Sequence, residues 1–344
     1  MKTILVTGGA GFIGSAFVRH MVTTYPELTI VTYDKLTYAG NLDNLLPIKD
    51  APNHAFVRGD IADHEAVRET FQRYSVDTVV NFAAESHVDR SILDPDAFIR
   101  TDVIGVYVLL EEARRHGIGR FVQVSTDEVY GDVREGFSVE TDPFMPNSPY
   151  AASKASGELM VRSYHVTYGI DTVVTRGSNT YGPYQYPEKL IPFFATEALD
   201  GRPLPVYGDG QQVRDWLHVD DHARGVAHAL LHGKSGEAYN IAGEALRVNL
   251  EVTRLLLSIL GKDESLIKFV PDRPGHDRRY AMNCDKLKAL GWERRYDFED
   301  GLRATLTWYQ ENEWWWRKIK TGEYLEYYRR QYAERLAAGQ DVSS

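Results

Sequence analysis

Through the first half of the chain, short apolar runs alternate with stretches whose apolar residues fall at helical spacing. Ile4-Leu5-Val6 is a short run that ends in glycines, and Phe12 to Val22 then repeats apolar side chains every three or four residues. Ile30 to Asp34, Ala55 to Asp60 and a stretch inside Val76 to Ala84 read as strands. A long helix over Phe98 to Arg115 and a strand over Arg120 to Ser125 follow. Ser153 to Tyr168 predicts another helix, with a strand over Thr172 to Arg176. Apolar strands alternating with helices predict an α/β fold, a doubly wound parallel sheet covered on both faces. Past about residue 180 the pattern becomes irregular, with Gly and Pro clusters at 182–187, 201–210 and 271–275. The chain is therefore read as a first domain over 1–180, to which later segments return, and a smaller C-terminal α/β substrate domain mainly over 181–330.

The turn after the first run is Thr7-Gly8-Gly9-Ala10-Gly11-Phe12-Ile13-Gly14, with glycines spaced G-x-x-G-x-x-G. Glycines at Gly8, Gly11 and Gly14 permit a tight turn, close backbone approach to a pyrophosphate and close packing of helix on sheet. The helix N-terminus supplies free N–H groups to an anion. Taken alone, such a turn is also an ordinary strand-to-helix connection. Asp34 changes that reading: it ends the second strand about 20 residues on, where a carboxylate meets the adenosine ribose and repels a 2′-phosphate. The first domain is thus predicted to be a Rossmann domain that binds NAD rather than NADP. Phe12, Ile13, Lys35 and Ala83 join the cofactor-binding candidates. Asp60 and Ile61 are candidates at the adenine, and Asp60 is equally readable as a helix cap.

Composition narrows the partners. The chain has 344 residues, 43% of them hydrophobic, and a formal net charge of -10, which excludes the basic footprint of a general nucleic-acid binder. A few local arginines still suit a small anionic ligand. No apolar run approaches the roughly 18 residues of a membrane span, and the opening MKTILVTGG reads as strand and turn, so a cytoplasmic protein is expected. The single cysteine, Cys284, excludes an intramolecular disulfide, fits a reducing compartment and is read as packing. No His, Cys and acid spacing suggests a metal site.

Tyr150 and Lys154 form Y-x-x-x-K, one turn apart on a helical face. A phenol titrates near 10; bringing it near neutrality takes about 4 kcal/mol, which one cation about 4 Å away can supply at an effective dielectric near 20. Beside oxidised nicotinamide, Tyr150 is then a base for a sugar hydroxyl. Ser125-Thr126 closes the fifth strand, and Asp127-Glu128 follows directly.

TGGAGFIG, Asp34, Ser125-Thr126 and Tyr150-x-x-x-Lys154 together resemble the extended branch of the short-chain dehydrogenase/reductase family. Arg214 to Asp221, reading RDWLHVDD, resembles that branch's nucleotide-sugar enzymes. The resemblance covers roughly residues 1 to 310. It implies a hydride-transfer triad of Thr126, Tyr150 and Lys154. The Asp127-Glu128 pair is similar to the branch's 4,6-dehydratases, in which eliminating water from a hexose needs a base and an acid. The implied reaction is dehydration of dTDP-glucose to the 4-keto-6-deoxy sugar, Glu128 taking the C5 proton and Asp127 protonating the C6 hydroxyl. NAD stays tightly bound and is regenerated each turnover. A UDP-sugar 4,6-dehydratase or 4-epimerase is the alternative. A cofactor-sensing protein on a retired enzyme fold would be expected to lack Tyr150 or Lys154.

The resemblance also implies substrate contacts from Ser86, Asn179, Lys189, Leu190, Pro205, Tyr207, Arg214, Asn249, Arg273 and His276. Arg214 and Arg273 are assigned to the diphosphate, whose oxygens suit a planar guanidinium fork. Tyr207 is readable either as an aromatic face for the base or as packing. The aromatic stretch Trp308 to Trp316 is read as packing of a C-terminal helix or a subunit contact. A homodimer through the helices at Phe98 to Arg115 and Ser153 to Tyr168 is expected by family analogy.

Overall fold

The computed structural model describes residues 1–337, 340 and 341. Its strands are β1 (Thr3–Thr7), β2 (Thr29–Asp34), β3 (His54–Arg58), β4 (Thr78–Asn81), β5 (Arg120–Thr126), β6 (Thr172–Gly177), β7 (Asn179–Tyr181), β8 (Leu204–Tyr207), β9 (Val213–His218), β10 (Glu237–Ile241), β11 (Leu246–Val248), β12 (Ile267–Val270) and β13 (Gln340–Asp341). The helices are α1 (Phe12–Thr24), α2 (His64–Tyr74), α3 (Val88–Leu93), α4 (Asp96–Phe98), α5 (Val106–His116), α6 (Pro149–Tyr168), α7 (Leu190–Leu199), α8 (Val219–His232), α9 (Asn249–Leu260), α10 (Asp285–Lys288), α11 (Phe298–Glu311), α12 (Glu313–Ile319) and α13 (Glu323–Ala337).

Seven strands form one parallel sheet in the order β10-β6-β5-β4-β1-β2-β3. The chain order reverses between β1 and β4, which opens a crevice at the carboxyl ends of the strands. Phe17 and Val18 of α1 pack with Val226 and Leu230 of α8 on one face. Phe71 of α2, Leu109 of α5 and Val161 of α6 cover the other. The fully buried strands explain why β1, β2 and β4 are apolar without alternation. The second half supplies both β10 and α8 to this sheet. It also builds a separate core from Phe194, Leu256, Leu302, Trp315 and Trp316, flanked by the three-stranded sheets β11-β9-β7 and β13-β12-β8.

Two elements differ from the sequence reading in ways that shape the site. The helix expected over Phe98 to Arg115 is interrupted: Ile99–Gly105 is a π-helical segment ahead of α5. Gly105 lies there because a Cβ would overlap the Ile61 side chain. The helix expected from Ser153 starts at Pro149, capped by Ser148, whose Oγ accepts from the Ala151 N–H at 3.1 Å. Proline in the first turn needs no partner for its missing N–H. Tyr150 is therefore already inside the helix, one turn ahead of Lys154. Of the C-terminal aromatics, Trp315 and Trp316 are buried and Trp314 is exposed, and Trp315 Nε1 donates to Asn44 Oδ1 at 3.0 Å. Cys284 is buried with a free thiol. Among the described residues, no helix is long and apolar enough to cross a membrane.

Candidate active site

A cleft of about 420 Å³ runs along the carboxyl ends of the strands and into the second region. Its floor begins at the glycine turn. Gly8 has φ +66°, and a Cβ there would overlap the Ala83 backbone; a Cβ on Gly14 would overlap the Gly8 carbonyl oxygen. These are two places where the turn requires glycine. Helix α1 starts with Gly11 as its cap, with no side-chain cap and no acid in its first turn, so its N–H groups face the cleft free for an anion. Asp34, at the end of β2, is 8% exposed. Its two oxygens accept from the Ala10 N–H at 2.9 Å and the Leu36 N–H at 2.8 Å, which fixes the carboxylate at the rim. Burial raises its pKa against those two bonds.

The adenine-side candidates separate. Lys35 pairs with Asp60 at 2.7 Å, and both line the cleft. Asp60 is not a helix cap, since Asp63 caps α2; Asp60 accepts instead from the Ala62 N–H at 2.9 Å. Burial raises the Asp60 carboxyl, but Lys35 and that backbone bond outweigh it and hold the group low. Phe12, Ile13, Ile61 and Ala83 line the same end.

At the other end, β5 delivers Thr126 and the 3-10 turn Asp127–Tyr130 directly above α6. Thr126 caps that turn, accepting from the Glu128 N–H at 3.3 Å and donating to Asp127 Oδ1 at 3.2 Å. Asp127 is 4% exposed and its Oδ2 has no partner among the described residues. Burial first, then the charges of Glu128 and Asp215, raise Asp127 well above the ordinary carboxylate range. Glu128 is also raised by burial, but Lys189, Arg273 and Arg214 pull it back. Burial therefore raises both adjacent carboxyls, Asp127 with two further carboxylates adding to the rise and Glu128 with three cations opposing it. Tyr280 donates to Asp277 at 2.6 Å, and its hydroxyl oxygen lies 3.4 Å from Glu128 Oε2.

Tyr150 is buried beside this pair, but its electrostatics differ from the sequence reading. Burial raises the phenol well above 10, with Glu128 and Asp102 adding to the rise and the Thr126 hydroxyl opposing it. Lys154 donates to the Val124 carbonyl at 2.8 Å, and its charge works chiefly with Asp102 and Glu158. The protein's own charges therefore do not bring Tyr150 toward neutrality.

The substrate candidates all line the second half of the cleft, and several are already committed to neighbours. Arg273 donates to Asp89 at 2.7 Å while its Nε is buried without a partner. Arg214 donates to the Val213 and Asp277 carbonyls at 2.8 and 2.9 Å and lies 4.3 Å from the centre of the Tyr280 ring. It braces the loop at 277–280 as well as facing the cleft. Tyr207 donates to Asp89 at 3.0 Å and stacks with Tyr332. Lys189 reaches the Ser86 carbonyl at 2.6 Å, ahead of Leu190 at the start of α7. His276 sits 2.6 Å from Asp272; burial, with Arg273 and Arg214 nearby, lowers it to about 4. Asn179 Oδ1 and Asn249 Oδ1 are buried and unpartnered among the described residues, and Pro205 completes the wall.

Sequence reasoning missed Asp89, Gln331, Tyr332 and Asp102. Gln331, from α13, donates to Asp89 and to Tyr207, both at 2.9 Å. Asp102, on the π-helical segment, accepts from Ser153 at 2.6 Å and from the Glu85 N–H at 3.0 Å. No local motif marks these residues; their partners lie far along the chain.

A family model described as GDP-mannose 4,6 dehydratase matches residues 5–305. The dTDP-glucose 4,6-dehydratase of Streptomyces niveus is 50% identical over 323 residues, 92% of this chain and 96% of that protein. The enzyme of the same description from Neisseria meningitidis serogroup B is 48% identical, over 94% of this chain and 98% of that protein. Among solved structures, DesIV from Streptomyces venezuelae, a dTDP-glucose 4,6-dehydratase with NAD and TYD bound, superposes with a TM-score of 0.90 at 50% identity. The match covers 92% of this chain and 100% of that one. The UDP-glucose 4-epimerase of Thermus thermophilus, in complex with NAD, reaches 0.84 at 33% identity, covering 90% and 99%. With the fold, the glycine turn and the Tyr150–Lys154 helix in common, the chain belongs to the nucleotide-sugar 4,6-dehydratase family of extended short-chain dehydrogenases/reductases.

Proposed function

We propose that this chain binds NAD and dehydrates dTDP-glucose to dTDP-4-keto-6-deoxyglucose, with Thr126, Asp127, Glu128, Tyr150 and Lys154 as its catalytic residues. The observation that carries this reading is the buried Asp127–Glu128 pair next to Tyr150 and Thr126, a set that exceeds what oxidation at C4 alone requires. NAD fits the first half of the cleft: the glycine cradle, the uncapped start of α1 and the fixed Asp34 carboxylate match a pyrophosphate and a ribose diol. When bound, it supplies hydride acceptance from C4 and hydride return to C6.

The chain's own residues carry the protons. Tyr150 removes the C4 hydroxyl proton, and Thr126 donates to the developing C4 oxyanion. Lys154, one turn along α6 from Tyr150 with its ammonium on the Val124 carbonyl, is the cationic member of the set. Once C4 is a ketone, the C5 hydrogen is acidic, and Glu128, whose burial-driven rise three cations oppose, takes it. Asp127, whose pKa burial raises well above the ordinary carboxylate range, gives its proton to the departing C6 hydroxyl, which leaves as water, and Glu128 then returns its proton to C5 to complete the 6-deoxy sugar. Arg273 and Arg214 hold the diphosphate, and Asn179, Lys189, Tyr207 and Asn249 surround the sugar and base. Mass analysis after incubation with dTDP-glucose should show a product lighter by one water and carrying a ketone. An unchanged hexose, or only a C4 epimer, would overturn the reading.

We further propose a homodimer. Ile99, Ile104 and Tyr107 on the helical run before and into α5, and Leu159, Val166 and Tyr168 on α6, are exposed apolar side chains on neighbouring helices. Leu159→Glu combined with Val166→Glu should yield a monomer by light scattering; an unchanged species would contradict it. The buried free thiol of Cys284 fits a cytoplasmic setting.

A further inference from the structure

One buried acceptor at the reacting end of the cleft has no role in the chemistry above. Strand β6 ends at Gly177, which is aligned directly opposite Thr126 of β5. A Cβ on Gly177 would overlap the imidazole of His222, from α8, so the ring occupies the space a side chain would fill beside the strand end. His222 is 2% exposed and lines the cleft together with Gly177, Asn179 and Thr180.

Its tautomer follows from its neighbour. His222 Nδ1 lies 2.7 Å from Thr180 Oγ1. The single hydroxyl hydrogen of Thr180 is donated to the Ser178 carbonyl at 3.0 Å. With the Thr180 hydrogen assigned to that carbonyl, Nδ1 carries the ring hydrogen and donates to Thr180, and Nε2 is left as a lone pair. Nε2 is buried and has no partner among the described residues. Burial also lowers the imidazole to about 4, so the ring stays neutral through the working range. Ser125 Oγ and Asn179 Oδ1 are unpartnered nearby, but hydroxyl and amide side chains each carry a donor as well. His222 Nε2 offers acceptance only.

The one hydrogen-bond donor group on a nicotinamide ring is the NH2 of its carboxamide. We infer that His222 accepts a hydrogen bond from that carboxamide through Nε2 and so fixes which face of the ring is turned to the substrate. The carboxamide is off-centre on the ring, so holding it stops rotation about the glycosidic bond. This inference rests on the NAD-binding reading and assigns one residue within it.

The test compares equilibrium binding of NAD with that of its 3-acetylpyridine analogue, which replaces the amide nitrogen by a methyl group. The wild-type chain is expected to prefer NAD by about five- to tenfold. In His222→Phe the preference should fall to within about twofold, with NAD weakened and the analogue nearly unchanged. Should His222→Phe fail to fold, imidazole nitrogen NMR of the wild type decides: the Nε2 resonance should move on adding NAD and stay in place with the analogue. Equal binding of the two by the wild type, a preference surviving in His222→Phe, or a hydrogen found on Nε2 would overturn the inference. Failure of the wild type to bind either dinucleotide would instead remove the NAD reading, and this inference with it.

Discussion

Replacing Asp127 by Asn tests the division of labour between the two carboxyls with the least disturbance of shape. The side chain is buried, Oδ1 accepts from Thr126 at 3.2 Å, and Oδ2 has no partner among the described residues. Asparagine keeps the size and the acceptor for Thr126 and loses only the transferable proton. A positioned general acid contributes about 10²- to 10⁴-fold, so turnover should fall by that factor, or roughly 3–5 kcal/mol of barrier. Burial and neighbouring negative charge already disfavour the carboxylate, so losing it should not weaken the fold. Oxidation at C4 does not need this proton, so mixing the variant with dTDP-glucose in a stopped-flow instrument should still give rapid nicotinamide reduction, which then persists. A substrate bearing fluoride at C6, a leaving group that needs no acid, should restore turnover to within about tenfold of the wild type. Full dehydration of dTDP-glucose by the variant, or equal failure with the fluoro analogue, would refute the assignment of Asp127 as the acid.

Other consequences reach beyond that residue. Gly14→Ala should abolish NAD binding in a fluorescence titration, because the added methyl overlaps the Gly8 carbonyl at the pyrophosphate turn. Glu158→Gln should cost about 3 kcal/mol in urea unfolding, since it leaves the buried guanidinium of Arg176, bound to Glu158 at 2.8 Å, without its counter-charge. Burial, with Asp102 alongside, raises Glu85 from 4.5 to about 7, so the folded chain holds a proton that the unfolded chain releases at lower pH. The stability this group contributes is present below about pH 4.5 and is lost as pH rises through 7. Glu85→Gln should therefore be more stable than the wild type by about 2 kcal/mol at pH 8, after allowance for partial solvent screening, and nearly equal to it at pH 4.

The sequence made the dinucleotide half legible because its signals are local. Three glycines, an acid about 20 residues later and Y-x-x-x-K each sit within one strand, turn or helix. Even there, apolar spacing alone places the start of α6 too late, although Ser148 and Pro149 carry the cap and first-turn signal. The π-helical break at Ile99–Gly105 left no mark in the apolar spacing, and the close approach of Gly105 to Ile61 within it joins residues 44 positions apart. The substrate half was readable only as a set of residues. Arg273 is tied to Asp89, 184 positions away, and Gln331 reaches the same carboxylate across 242 positions. Such pairings depend on how β8, α3 and α13 converge. The Tyr150 environment shows the same limit: spacing put a lysine one turn away, but the dominant influences are burial and carboxyls contributed by other segments.

Hydride bookkeeping tests the central claim most directly. The purified chain is given dTDP-glucose carrying deuterium at C4, and the product is read by NMR. If the nicotinamide takes hydride from C4 and returns it within one site, the deuterium should appear at C6 of the 4-keto-6-deoxy product. Deuterium still at C4, or washed out into solvent, would contradict the account.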